Sequence, residues 1–115
     1  MKYNMKLNNE PFNLIKNGTK TVELRLNDEK RKLLNIGDKI EFTNITNGEK
    51  LSVDIISLHK YPSFEELYKH FDKVEMGYNK DDIAESKDME AYYSKEEQDK
   101  YGVLGIEIRD RKSVV

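Results

Sequence analysis

The sequence predicts a small α+β domain in which about five strands form a closed or nearly closed barrel with short helices inserted. Three observations support this fold class. Strand-like alternation of apolar residues recurs along the chain, helix caps stand between the strands, and the longest helical stretch precedes the last strand. Closure of the sheet protects the edges of short strands. An open α+β sheet is the alternative architecture.

The first strand and the first helix follow directly from the pattern at the N-terminus. Tyr3, Met5 and Leu7 alternate with polar residues, which is typical of a half-buried strand. Asn9 is a suitable N-cap residue, so we predict a helix over residues 10–17. The glycine that follows this segment is expected to end the helix.

The second strand is predicted at residues 21–26, where apolar and polar residues alternate strictly. Successive side chains of a strand point to opposite faces. We therefore expect the apolar residues to face the core and Glu23 and Arg25 to lie together on the other face. Lys20 stands in the turn just before this strand, so three charged side chains converge there.

Turn and capping residues indicate where the strands and helices of the remaining chain begin and end. Asn47-Gly48 is a strong hairpin signal that joins the third strand to a fourth at residues 51–58. Capping boxes that begin at Ser63 and Ser94 predict helices starting near residues 64 and 95. A further helix is predicted at residues 83–93, a last strand at 103–108, and a frayed tail from residue 109.

Composition limits the classes of function. The 115 residues are expected to form one domain with a core at about 5–108, and the net charge is -2. The absence of cysteine excludes disulfides and thiolate chemistry. No apolar run approaches a membrane span and no signal peptide is recognisable, so we expect a cytoplasmic protein without a membrane partner. The oligomeric state cannot be derived from the chain.

Charge is distributed unevenly. Residues 16–32 contain six basic and three acidic side chains, whereas residues 65–99 contain twelve acidic side chains and five lysines. The basic segment can reach about two to four phosphates, so we expect weak nonspecific binding to RNA. His59 and His70 can supply only part of a metal site. We predict no metal and no cofactor.

The segment Gly18-x-Lys20-x-x-Glu23-x-Arg25 resembles the signature of the ASCH (activating signal cointegrator homology) domain, a branch of the PUA-like superfamily. The resemblance extends over nearly the whole chain. The segments that carry it further lie at 36–40, 59–67, 92–97 and 101–106. It implies a PUA-like β-barrel with a cleft beside the second strand, where Lys20, Glu23 and Arg25 bind RNA or a nucleotide-like small molecule.

The resemblance also implies an alternative function. Some ASCH domains resemble amidohydrolases that act on N4-acetylcytidine with a Lys, a Thr and a Glu. Lys20 matches that lysine, but Glu23 stands at the position of the threonine, and a carboxylate is a poor substitute for a nucleophilic hydroxyl. The acid falls near Glu75, with Asp72 as an equal choice. Lys20, Glu23 and Glu75 are thus the catalytic candidates if the protein is an enzyme, which the sequence leaves undecided.

Tyrosines supply the remaining candidates for ligand binding. Five of them stand in the second half of the chain, and we expect one or two to line the cleft and stack on a base. These five are Tyr61, Tyr78, Tyr92, Tyr93 and Tyr101. Tyr61 and Ser63 directly follow a strand end, so they are the first choices.

Overall fold

The computed structural model describes residues 1–110 of the chain. Within this range the strands and α-helices follow one another in this order: β1 (Lys2–Leu7), α1 (Asn9–Lys16), β2 (Val22–Leu26), β3 (Lys39–Asn44), β4 (Lys50–Tyr61), α2 (Phe64–Leu67), α3 (Lys95–Tyr101) and β5 (Val103–Asp110). Two 3-10 helices are added at Arg31–Leu33 and Ser86–Ala91. The fold is therefore α+β with short helices, as predicted.

The five strands form one sheet in the order β1-β3-β4-β5-β2. The pairing of β1 with β3 is parallel, and all other pairings are antiparallel. The sheet curls into a half-barrel, which confirms the predicted small α+β domain with a nearly closed barrel of about five strands. Its two edge strands, β1 and β2, are not paired with each other. We call the gap between them the open seam.

The two faces of the sheet are covered by two separate apolar clusters. Inside the half-barrel, α1 contributes Phe12 to a cluster that includes Phe42 and Ile106. On the outer face, α2 contributes Phe64 and Leu67 to a second cluster. Each cluster buries large side chains completely, so both faces of β5 and β2 lie against protein.

Local signals in the sequence have the expected effects. The Asn47-Gly48 hairpin joins β3 to β4, and Gly48 has a φ of 76°, which suits glycine. The Ser94 side chain accepts a hydrogen bond from the Glu97 amide, and the Glu97 carboxylate accepts one from the Ser94 amide. This capping box begins α3.

Several predicted boundaries are wrong. Strand β4 continues past residue 58 to Tyr61, so Tyr61 lies in the strand and not after its end. Helix α1 has Asn8 as its N-cap and already contains Asn9, whose side chain instead accepts a hydrogen bond from Asn44. Residues 83–93 contain only the 3-10 helix Ser86–Ala91, and Tyr93 stacks on Phe64. Strand β5 continues past Ile108 to Asp110, and the rest of the predicted tail lies outside the described residues.

No helix among residues 1–110 has both the length and the apolar character that crossing a membrane requires.

Candidate functional site

A cleft of about 490 Å³ lies at the open seam, between the two edge strands and the segment that precedes α3. The charged side chains of β2 and the turn before it form one part of its lining. Tyrosines and Met76 from the inserted segment form another part. The cleft therefore joins elements that are far apart in the sequence.

Three charged side chains form what we call the charge triad: Lys20, Glu23 and Arg25. The Lys20 Nζ lies 2.8 Å from Glu23 Oε1, and the Arg25 Nη2 lies 2.8 Å from Glu23 Oε2. The Arg25 Nε also donates to Glu23 Oε2 at 2.9 Å. One carboxylate thus holds two cations, and the triad has a net charge of +1.

The triad is buried, although its side chains lie on the face of β2 opposite to the apolar residues of that strand. Lys20 and Glu23 are 8% and 4% exposed. Glu23 and Arg25 lie opposite Ile106 and Leu104 of β5, and those residues belong to the inner apolar cluster. The charged face of β2 is therefore the inner face of the half-barrel at its open seam.

Electrostatics keeps Glu23 and Arg25 ionised. Burial raises the pKa of the Glu23 carboxyl, but the charges and hydrogen bonds of Lys20 and Arg25 outweigh burial, and the net pKa is lowered. Burial likewise opposes the charge on Arg25, while Glu23 and the Tyr93 hydroxyl favour it, so the pKa of Arg25 is raised. Glu23 stays charged because of Lys20 and Arg25, and Arg25 stays charged mainly because of Glu23.

Most donors of Arg25 are already used within the protein. Besides its two contacts with Glu23, the guanidinium donates through Nη2 to the Lys6 carbonyl of β1 at 3.2 Å. The nearby Tyr93 side chain also favours the charged form and helps to raise the pKa of Arg25. Arg25 therefore spans the open seam and links β2 to β1, so its planar fork is not free for a ligand.

Lys20 has more capacity for a ligand than Arg25. A lysine ammonium has three donors, and Glu23 is the one acceptor that residues 1–110 provide for it. Two N–H groups of a buried cation in the wall of the cleft are thus left for other acceptors. Buried donors are rarely left without partners, so this ammonium is the strongest sign of a ligand.

The Lys20 side chain packs closely against Gly77. A Cβ added at this glycine would lie 3.1 Å from Lys20 Cδ and 3.7 Å from Lys20 Nζ, and the φ of Gly77 is 106°. Glycine is therefore required twice here, by the backbone conformation and by the close approach of the lysine.

We expect Gly77→Ala to lower the melting temperature more than Gly37→Ala does. Gly37 has a φ of 93°, but a methyl group added there would have no atom within 4 Å, so it serves as the matched control. Both substitutions strain the backbone by about 1–2 kcal/mol, and Gly77→Ala additionally displaces Lys20. Thermal unfolding of the two variants checks this. Equal decreases in melting temperature would show that the contact between Gly77 and Lys20 does not contribute to stability.

Four tyrosines line the cleft: Tyr68, Tyr78, Tyr92 and Tyr93. Of the five tyrosines singled out in the sequence, three therefore reach it, which is more than expected. Tyr92 is 68% exposed and offers a free aromatic face. Tyr68 is the C-cap residue of α2 and was not among the tyrosines that the sequence singled out.

The remaining predicted site residues do not lie among the residues that line the cleft. The Tyr61 ring stacks on His70 at 4.8 Å, and Ser63 is the N-cap of α2, where it accepts from the Glu66 amide. The Glu75 carboxylate accepts from the Asp72 amide of its own turn and is exposed. Its main-chain carbonyl instead accepts hydrogen bonds from Thr21 and Val22.

Glu75 therefore supports the β2 backbone from outside the cleft. The structure brings together Lys20, Glu23 and Arg25 in this cleft and leaves Tyr61 and Ser63 elsewhere. Glu75 lines a second cavity, which Lys20 also borders. Residues 1–110 also contain no group of three or more His, Asp or Glu side chains arranged to hold a metal ion.

The fold and the cleft define a small α+β half-barrel domain with a buried charge triad at its open seam. The model of the ASCH domain family matches residues 5–111, which is most of the chain. The chain belongs to the ASCH domain family.

Solved structures agree with this assignment. The chain is similar to the hypothetical protein PH0355, with 32% identity, a TM-score of 0.81, and coverage of 96% of this chain and 99% of that chain. Protein PF0455 from Pyrococcus furiosus is 34% identical with a TM-score of 0.77, over 97% and 99% of the two chains. The chain also shares its fold with an ASCH protein from Zymomonas mobilis, with a TM-score of 0.66. The two are 15% identical, and the match covers 93% of this chain and 66% of that chain. No match was found among curated proteins.

Proposed function

We propose that this ASCH domain binds a nucleotide, free or within single-stranded RNA, in the cleft at the open seam. The observation that carries the proposal is the Lys20 ammonium, which is buried in the lining of the cleft and has donors left over after its contact with Glu23. Carbonyl and phosphate oxygens of nucleotides are suitable acceptors for such a group.

Two further features support a nucleotide. The triad gives this part of the cleft a net positive charge, which favours a ligand rich in acceptors. The exposed ring of Tyr92 in the cleft lining provides a surface on which a base can stack. Aromatic stacking of this kind is common in the recognition of single-stranded RNA.

The cleft at the open seam gives no support to the amidohydrolase alternative. The Glu23 carboxylate is occupied by two cations, and the Glu75 carboxylate lies outside the cleft lining. Activity on N4-acetylcytidine stays a prediction of the resemblance alone.

We expect Lys20→Met to weaken nucleotide binding at least tenfold, which corresponds to about 1.4 kcal/mol. The methionine keeps the unbranched stem against Gly77 but removes the ammonium, and Glu23 keeps Arg25 as a partner. Binding is measured by NMR titration of the labelled protein with ribonucleoside 5′-monophosphates and short oligoribonucleotides.

Lys95→Met is the matched control, since Lys95 is exposed at the start of α3 and is not part of the cleft. It is expected to bind as the unchanged protein does. Equal binding by Lys20→Met, or the absence of any nucleotide-induced shifts in the unchanged protein, would contradict the proposed function.

Nonspecific affinity for RNA should be weak and only slightly dependent on salt. Of the six basic residues at 16–32, Lys20 and Arg25 are held by Glu23, and Lys16 and Arg31 form ion pairs with acidic residues. Lys32 has only a long, exposed contact with Glu29, at 3.8 Å, so Lys30 and Lys32 are the residues that can reach phosphates. With about two phosphate contacts, the slope of log K against log salt should be about -1.4. Fluorescence anisotropy with a random-sequence oligoribonucleotide measures it. A slope several times steeper would indicate a general RNA-binding surface outside the cleft.

A further inference from the structure

A second polar group in the cleft is a hydrogen-bonded chain of Tyr68, Tyr78 and Asp88, which we call the Tyr-Tyr-Asp chain. The Tyr68 and Tyr78 hydroxyls lie 2.8 Å apart, and the Tyr78 hydroxyl donates to Asp88 Oδ2 at 2.9 Å. All three residues line the cleft. The charge triad makes no use of them.

Asp88 is held in place by local structure. It is the third residue of the 3-10 helix Ser86–Ala91, and its carboxylate accepts a hydrogen bond from the Glu85 amide while the Glu85 side chain caps the same turn. This capping box aims the carboxylate at Tyr78. The chain therefore has a fixed anion at one end.

The fixed anion determines the direction of each proton along the chain. An ionised carboxylate only accepts, so the single proton of Tyr78 is donated to Asp88. The contact between the two tyrosines then requires Tyr68 to donate to Tyr78. Burial and the neighbouring hydroxyl and carboxylate raise the pKa of Tyr78, so its hydroxyl keeps this proton at neutral pH.

Tyr68 is thereby left as an acceptor. Its one proton is used inside the chain, and the remaining lone pair of its oxygen is the group that it can offer to a ligand. Hydrogen-bonded chains polarise their members, so the anion at Asp88 strengthens this acceptor. The Tyr-Tyr-Asp chain consequently favours an N–H donor and disfavours a phosphate group, which offers acceptors and negative charge.

The Tyr68 oxygen and the free donors of Lys20 belong to residues that line one cleft. Gly77 packs on the end of the Lys20 side chain and immediately precedes Tyr78, the partner of Tyr68. A planar ligand with both acceptors and N–H donors can use both groups, and nucleobase edges carry both. Inorganic phosphate offers mainly acceptors, whereas the hydroxyls of a ribose also donate, so ribose 5-phosphate is the probe that separates the sugar from the base.

We propose that the cleft holds the base of the nucleotide. In this arrangement Lys20 donates a hydrogen bond to an acceptor on the edge of the base, and an N–H group of the same edge donates to the Tyr68 oxygen. This inference rests on the proposed function and specifies which part of the nucleotide enters the cleft. Tyr68 is the residue that contacts the base, and Tyr78 and Asp88 are positioning residues that orient its proton.

Base-free probes provide the first test. The four ribonucleoside 5′-monophosphates are titrated into the labelled protein alongside ribose 5-phosphate and inorganic phosphate. At least one nucleotide should bind tenfold or more tightly than either base-free probe. Equal affinity for ribose 5-phosphate would overturn the inference and leave the proposed function standing, whereas the absence of binding by every nucleotide would overturn both.

Two substitutions test the Tyr-Tyr-Asp chain. Tyr68→Phe removes the acceptor and should weaken binding of the preferred nucleotide about tenfold, while Tyr101→Phe, outside the cleft lining, should not. Asp88→Asn can keep an oxygen in the place of Oδ2, to which both Tyr78 and the Glu85 amide donate, but it removes the negative charge that strengthens the Tyr68 acceptor.

The double variant distinguishes this mechanism from a structural effect. Asp88→Asn should weaken binding by less than Tyr68→Phe does, because it weakens the Tyr68 acceptor without removing it. The two together should weaken binding no further than Tyr68→Phe alone, because both act through one oxygen. Additive losses, or unchanged affinity in Tyr68→Phe, would overturn the inference. Lys20→Met, which tests the proposed function, is measured in the same series.

Discussion

Replacement of Glu23 by Gln is expected to lower the free energy of unfolding by about 3–5 kcal/mol. The substitution keeps the shape of the side chain but leaves Lys20 and Arg25 buried without their counter-ion. A domain of this size is stable by about 5–15 kcal/mol, so the loss is a large part of the total. Urea unfolding followed by circular dichroism at neutral pH measures it.

Two controls assign the loss to uncompensated charge. Glu96→Gln changes an exposed residue in the first turn of α3 and should cost less than about 0.5 kcal/mol. The triple variant Lys20→Met, Glu23→Leu, Arg25→Met replaces the triad by apolar groups and should recover most of the stability, as such replacements of buried ion pairs often do. A stability loss below about 1 kcal/mol in Glu23→Gln would show that the triad is not effectively buried.

Acid should remove the contribution of Glu23, and the difference between the unchanged protein and Glu23→Gln should disappear with it. The pKa of Glu23 is lowered in the folded protein from an ordinary value of 4.5. A lowered folded pKa means that the unfolded chain binds the proton more readily. The stabilisation is therefore complete above pH 4.5 and is lost as the pH falls through the folded pKa.

Urea unfolding of both proteins at a series of pH values from about 7 down to about 2.5 tests this linkage. Asp38 and Glu41 also have lowered pKa values, but they are present in both proteins, so their effects cancel in the difference. The two curves should converge in acid, since protonated Glu23 resembles Gln. A constant difference across the range would show that the loss does not come from the charge of Glu23.

Several local features were predictable because their cause lies within a few residues. The alternation in β1 and β2, the Asn47-Gly48 turn and the cap at Ser94 depend on short-range chemistry, and the structure confirms all of them. The grouping of Lys20 with Glu23 and Arg25 follows from spacing as well, because residues two apart on a strand share a face.

The sequence by itself determined that β2 has one charged face and one apolar face, since alternation depends on the pleat alone. It did not determine that both faces are covered, because periodicity carries no information about the elements that pack on a strand from elsewhere in the chain. The charged face is the inner face of the half-barrel at the open seam, and the triad is therefore buried, which alternation alone does not predict. The contacts of Tyr78 with Tyr68 and Asp88, and the exclusion of Tyr61 from the cleft lining, were likewise decided by tertiary packing. The path of the segment between α2 and α3 sets those positions, and it depends on contacts with the outer face of the sheet rather than on local sequence.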